Sequence, residues 1–149
     1  MVEIESKVQP LEILLVEDNL GDARLIMETM KDGNIQNRMH LAKDGLKGLE
    51  YLRSCLQEGG SPLPNLVLLD LNLPRMDGWE VLQAIKSDPA LKHLPVVILT
   101  SSEASEDVRR TYDLSANCYL TKPVGLKTFE NMVLSLEHFW SNPVQLPKR

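Results

Sequence analysis

The sequence predicts a doubly wound α/β fold, a parallel sheet with helices on both faces. Three observations predict it: continuous aliphatic runs that suit strands buried on both sides, helical spacing in the stretches between them, and an alternation of the two that repeats five times. The 149 residues, 43% of them hydrophobic, suffice for one domain with a sizeable core and are too few for two ordinary ones.

The first strand is the aliphatic run Ile13 to Val16. Ala23, Ile26, Met27 and Met30 follow at helical spacing and form the apolar stripe of the first helix. Met39 to Ala42 is a weaker strand, and Leu46, Leu49 and Leu52 mark the second helix. Gly59-Gly60-Ser61-Pro62 with Pro64 makes a loop before the third strand, Leu66 to Leu69. Trp79, Leu82 and Ile85 give the third helix, which stops at Asp88-Pro89 because a residue before proline avoids the helical region. Val96 to Leu99 is the fourth strand; the fourth helix, around Glu106 to Leu114, is polar and only weakly amphipathic. Cys118 to Leu120 is a weaker fifth strand, and the last helix, Leu126 to Trp140, presents Phe129, Met132, Val133, Leu136 and Trp140. The domain therefore spans 10–141, between tails at 1–9 and 142–149, the second interrupted by Pro143 and Pro147. No internal repeat or low-complexity tract is present.

Composition excludes several classes. The net charge is −5, with no basic cluster beyond the pair Arg109 and Arg110, which disfavours nucleic acid and anionic membranes as partners. No apolar run approaches the roughly 20 residues of a membrane span, and residues 1–9 lack an apolar signal region, so a cytoplasmic protein is expected. Cys55 and Cys118 lie far apart without CxxC spacing and read as packed free thiols.

The polar residues fall where the chemistry of such a fold is done, beyond the carboxyl ends of the strands. Strand one stops at Glu17-Asp18, strand three at Asp70 followed by Asn72, strand four at Thr100-Ser101 and strand five at Thr121-Lys122-Pro123. Close carboxylates repel by about 4 kcal/mol per pair at 4 Å with an effective dielectric constant near 20, so either their pKa values rise or a cation joins them. A hard divalent ion, Mg²⁺ with Mn²⁺ able to substitute, suits oxygen ligands of this kind. Glu17, Asp18 and Asp70 with Mg²⁺ and Lys122 sum to a near-neutral pocket that can host a phosphoryl group. Asp70, ending the central strand, is placed to attack phosphorus and form an aspartyl phosphate. Lys122 and the metal would stabilise the equatorial oxygens, and Thr100 would hydrogen-bond the product. Each residue alone has a plainer explanation as a solvated loop residue or helix cap; Asp18 or Asn19, for instance, could simply cap the first helix. It is the matched strand ends together that carry the reading.

Val16-Glu17-Asp18-Asn19, Leu68 through Gly78 (LLDLNLPRMDG), Leu99-Thr100-Ser101 and Thr121-Lys122-Pro123 resemble the signature of receiver domains of two-component signalling, over about residues 12–140. The resemblance implies a flavodoxin-like five-stranded parallel sheet in order 2-1-3-4-5 with five helices. It implies Asp70 as phosphoacceptor, Asp18 as a direct metal ligand, Glu17 acting through water, and the backbone carbonyl of Asn72 completing the metal shell. Thr100 becomes the switch hydroxyl, Lys122 the phosphate partner, Tyr119 the aromatic whose rotation reports the switch, and Lys122-Pro123 a cis bond. Tyr119 has a plainer alternative as a half-buried strand aromatic. Asn19 through Leu25, the insertion at 59–64 and the end at 139–147 resemble stand-alone response regulators paired with phytochrome histidine kinases. That implies a sensor histidine kinase of phytochrome type as donor, an unknown downstream protein, and a homodimer through the fourth helix, fifth strand and fifth helix.

The expected function is thus a phosphorylation-switched signalling protein with no output domain, one that hydrolyses only its own aspartyl phosphate and is not otherwise an enzyme. A phosphohydrolase of the haloacid-dehalogenase type fits poorly, since its nucleophile follows the first strand and an acid stands two residues later, where position 72 here is Asn. A receiver-like binding module that is never phosphorylated is the remaining alternative, and the intact set Glu17, Asp18, Asp70, Thr100 and Lys122 argues against it.

Overall fold

The computed structural model describes residues 10–71, 73–101 and 118–136. Strands β1 (Leu11–Val16), β2 (Asn37–Ala42), β3 (Leu66–Asp70), β4 (Val96–Thr100) and β5 (Cys118–Thr121) form one sheet in the order β2-β1-β3-β4-β5. All four pairings are parallel. Helices α1 (Leu20–Lys31), α2 (Gly45–Cys55), α3 (Gly78–Ser87) and α4 (Leu126–Ser135) cover it. The fold class and strand order expected from the sequence are those found. Helix α4 is the last of the five expected; the fourth, around Glu106 to Leu114, both tails, Trp140 and Asn72 lie outside the described residues. Cys55 is a free thiol, whereas the Cys118 side chain is outside the described set.

Every residue of β3 and β4 is buried, as their unbroken aliphatic runs require. β2 is an edge strand, and its residues alternate between half-buried and exposed up to buried Ala42. Successive side chains of a strand point to opposite faces, so β3 feeds two separate apolar layers. Leu66 and Leu68 join Ala23 and Ile26 of α1 and Phe129 and Val133 of α4. Val67 and Leu69 join Leu49 and Leu52 of α2 and Leu82 and Ile85 of α3.

Helix starts are fixed by acceptors. Asn19 caps α1 by accepting from the Asp22 N–H at 2.9 Å, and Asp44 caps α2 through Lys47 at 2.8 Å. At α3, Asp77 and Glu80 form a reciprocal capping box. Its far end is the extended Asp88, as the following proline demands. The chain leaves β1 to build β2 on one side and then returns to place β3 on the other, so the order reverses between β1 and β3. A crevice opens at their carboxyl ends.

Candidate functional site

Glu17 is the first residue past β1, where its N–H donates to the Ala42 carbonyl at 3.0 Å and its side chain is wholly buried. Oε2 accepts from the Asn19 N–H at 3.2 Å. Oε1 forms a buried ion pair with the Lys122 ammonium at 2.5 Å. Because Asn19 takes the cap of α1, exposed Asp18 is not spent on it and its carboxylate turns to the site.

Asp70 closes β3 and is 5% exposed. Behind it, Leu71 donates to the Leu99 carbonyl at 3.3 Å, and the Gly78 N–H returns to the Leu71 carbonyl at 3.0 Å. A side chain at position 78 would overlap the Asp70 carbonyl oxygen and stand 2.7 Å from Leu71 Cα, so only glycine lets α3 start against this strand end. Lys122 arrives from beyond β5, its N–H donating to the Thr100 carbonyl at 2.8 Å. Its Nζ donates to Asp70 Oδ2 at 2.9 Å and to Asp22 Oδ2 at 3.1 Å. The Lys122-Pro123 bond is cis, as the resemblance implied. Thr100 ends β4 and is buried. Half-buried Tyr119, paired in register with Ile98, packs on the α2 and α3 layer, diagonal to Thr100 on the same face.

Glu17, Asp18 and Asp70 thus converge as the sequence suggested, with one oxygen of each within 4.8 Å of the others. The fit to a hard divalent ion is good: the donors are all oxygens, and three carboxylates converge on a single lysine, so one more positive charge is needed to balance them. Burial first, then the hydrogen-bonded and negatively charged Asp70, pushes the Glu17 carboxyl up to about 7 against the opposing pull of Lys122. Burial alone would lower the Lys122 ammonium, but the carboxylates of Glu17, Asp70 and Asp22 outweigh it and raise it above the usual lysine value. Sequence reasoning did not single out Asp22. The available signal was an acidic residue in the first turn of the helix that directly follows the Glu17-Asp18 strand end.

A testable consequence follows from Glu17. A cation needs the ionised carboxylate, so Mg²⁺ affinity should rise by up to roughly tenfold per pH unit below about pH 7 and then level off, with a proton released on binding. Calorimetry in two buffers of different ionisation enthalpy measures that proton. An affinity that is flat from about pH 5.5 to 7 would contradict it.

This fold and this constellation define a class, and the chain belongs to it: the response regulator receiver domain family, whose model matches residues 13–134. Among individual proteins, the chain is 47% identical over 138 residues to response regulator Rcp1 of Synechocystis sp., covering 93% of this chain and 94% of that protein. The structure of the Mn²⁺-bound form of Rcp1 superposes with a TM-score of 0.70 over 93% of this chain and 100% of that one. The phosphorylated cyanobacterial phytochrome response regulator RcpA is 41% identical with a TM-score of 0.73, covering 94% and 100% of the two chains. The bacteriophytochrome response regulator AtBRR is 38% identical with a TM-score of 0.78, covering 89% and 96%. Among the described residues no helix is long and apolar enough to cross a membrane.

Proposed function

We propose that this receiver accepts a phosphoryl group on Asp70 from the phosphohistidine of a sensor kinase of phytochrome type, in a Mg²⁺-dependent reaction. The observation that carries the reading is the Lys122 ammonium donating at 2.9 Å to Asp70 Oδ2 while touching Glu17. A carboxylate is thereby held desolvated and beside a cation, where an entering phosphoryl group needs one. The carboxylate trio would hold the ion, with the Asn72 carbonyl completing its ligands, and the ion would supply charge neutralisation at the phosphoryl oxygens. An oxygen of Asp70 attacks phosphorus, the bond from phosphorus to the imidazole nitrogen breaks, and its electron pair leaves on that nitrogen. Lys122 follows the charge onto a phosphoryl oxygen. Thr100 turns toward the same group, and Tyr119, diagonal to it, takes the vacated space.

The receiver unit in this reading is 10–141, cytoplasmic, a switch whose only hydrolysis is that of its own aspartyl phosphate, and a homodimer through the fourth expected helix, β5 and α4. The phytochrome link is supported by the similarity to RcpA and AtBRR, response regulators of a cyanobacterial phytochrome and of a bacteriophytochrome. The test is incubation with acetyl phosphate and Mg²⁺. An acid-stable, hydroxylamine-sensitive label on Asp70 is expected, and its absence from wild-type protein would sink the proposal. Phosphotransfer profiling against the purified sensor kinases of the organism then identifies the donor.

A further inference from the structure

Lys122 has three N–H donors and three carboxylates around it, but the three are not equivalent. Asp70 is the proposed acceptor, and Glu17 with Asp70 and Asp18 forms the trio able to hold a cation. Asp22 belongs to neither set. It bonds Lys122 Nζ at 3.1 Å from the first turn of α1, its own N–H fixed by Asn19 Oδ1 at 2.9 Å. With Lys122 and Ser101 it also lines a cavity of about 250 Å³ that opens beside the site. When a cation draws on Glu17 and Asp70, the contact with Asp22 is the one left untouched. We propose that Asp22 is a positioning residue that tethers the Lys122 ammonium over Asp70 and, by its charge, sets how readily the pocket admits anionic phosphoryl donors.

The charge count makes the second part quantitative. Glu17, Asp18, Asp70, a divalent ion and Lys122 sum to zero, and Asp22 takes the mouth of the pocket to −1. Removing that charge favours an incoming dianion, while keeping an oxygen at position 22 keeps the tether. The inference rests on the phosphoacceptor reading, and labelling of the wild type is its control. With wild type labelling at Asp70, D22N should be labelled about threefold to tenfold faster by subsaturating acetyl phosphate at low ionic strength, with the gain vanishing at about 1 M salt. D22A, which loses charge and acceptor together, should be slower than D22N by about threefold to tenfold. In the metal-free protein the Lys122 ammonium should give a slowly exchanging ¹⁵N signal in wild type and D22N that broadens in D22A. A mere role in stabilising the start of α1 would alter melting temperature without moving the salt dependence or this signal. D22N matching wild type at low salt, or D22A matching D22N in both rate and ammonium signal, overturns the inference. A wild type that takes no label fails the phosphoacceptor reading instead, and the ammonium signal still tests the tether.

Discussion

Asp70→Asn is expected to take up no phosphoryl group and, at the same time, to make the metal-free protein more stable than wild type. The first effect is chemical: an amide oxygen is no match for a carboxylate as nucleophile, so labelling should fall by at least about a hundredfold. The second follows from Glu17. Asp70 is one of the causes holding that carboxyl up to about 7, well above its ordinary 4.5. A group whose folded-state pKa is raised stabilises the fold fully only below its unfolded value and loses that contribution as pH rises through the folded one. Neutralising Asp70 relieves the repulsion, and the gain should reach about 1–2 kcal/mol at pH 8 and fade below about pH 4.5. Lys122 loses one charge-assisted bond but keeps Glu17 and Asp22. Thermal melts at pH 8 with a chelator should place the variant above wild type. Adding Mg²⁺ should narrow or reverse the gap, because wild type binds the ion more tightly. A variant that melts below wild type in chelator refutes the account.

Gly78→Ala should cost about 2–3 kcal/mol and lower the melting temperature by about 5–10 °C, although alanine is the better helix former. The new methyl meets backbone on β3, the carbonyl of Asp70 and Leu71 Cα, and backbone cannot swing aside as a side chain can. To make room, α3 must part from the strand end, loosening the Gly78 to Leu71 hydrogen bond and shifting Asp70 itself. Loss of stability should therefore come with slower labelling of the fraction that remains folded. Denaturant titration and labelling kinetics on the same preparation check both. An alanine variant with wild-type midpoint would show that the loop yields more easily than its packing suggests.

Strands β3 and β4 were legible because both faces are buried and every position before the closing Asp70 and Thr100 is apolar. β2 was not fully legible: it begins at Asn37, two residues before its apolar run, because an edge strand half in water accepts Asn37 and Arg38. The acids at the strand ends could be read, since their positions follow from the alternation of elements alone. What the linear pattern did not carry is how they divide their labour. That Asn19 caps α1 and leaves Asp18 to the site depends on where one amide turns. The raised pKa of Glu17 depends on its burial, which a charged residue in a sequence does not announce. Asp22 acquires meaning only beside Lys122, 100 residues later in the chain.

The two apolar layers bear on how a message would cross the molecule. By strand register Asp70 pairs with Leu99 and shares the α1 and α4 side, whereas Thr100 and Tyr119 look toward α2 and α3. Asp70 and the two residues proposed to respond to it are thus on opposite sides of a partition one strand thick. Under the proposed switch, the route between them would turn at the rim, at the end of β4, where the Lys122 N–H meets the Thr100 carbonyl. An exchange of one hydrocarbon shape for another deep in the α1 and α4 layer, far from that rim, is then expected to change stability and leave the proposed switch in place.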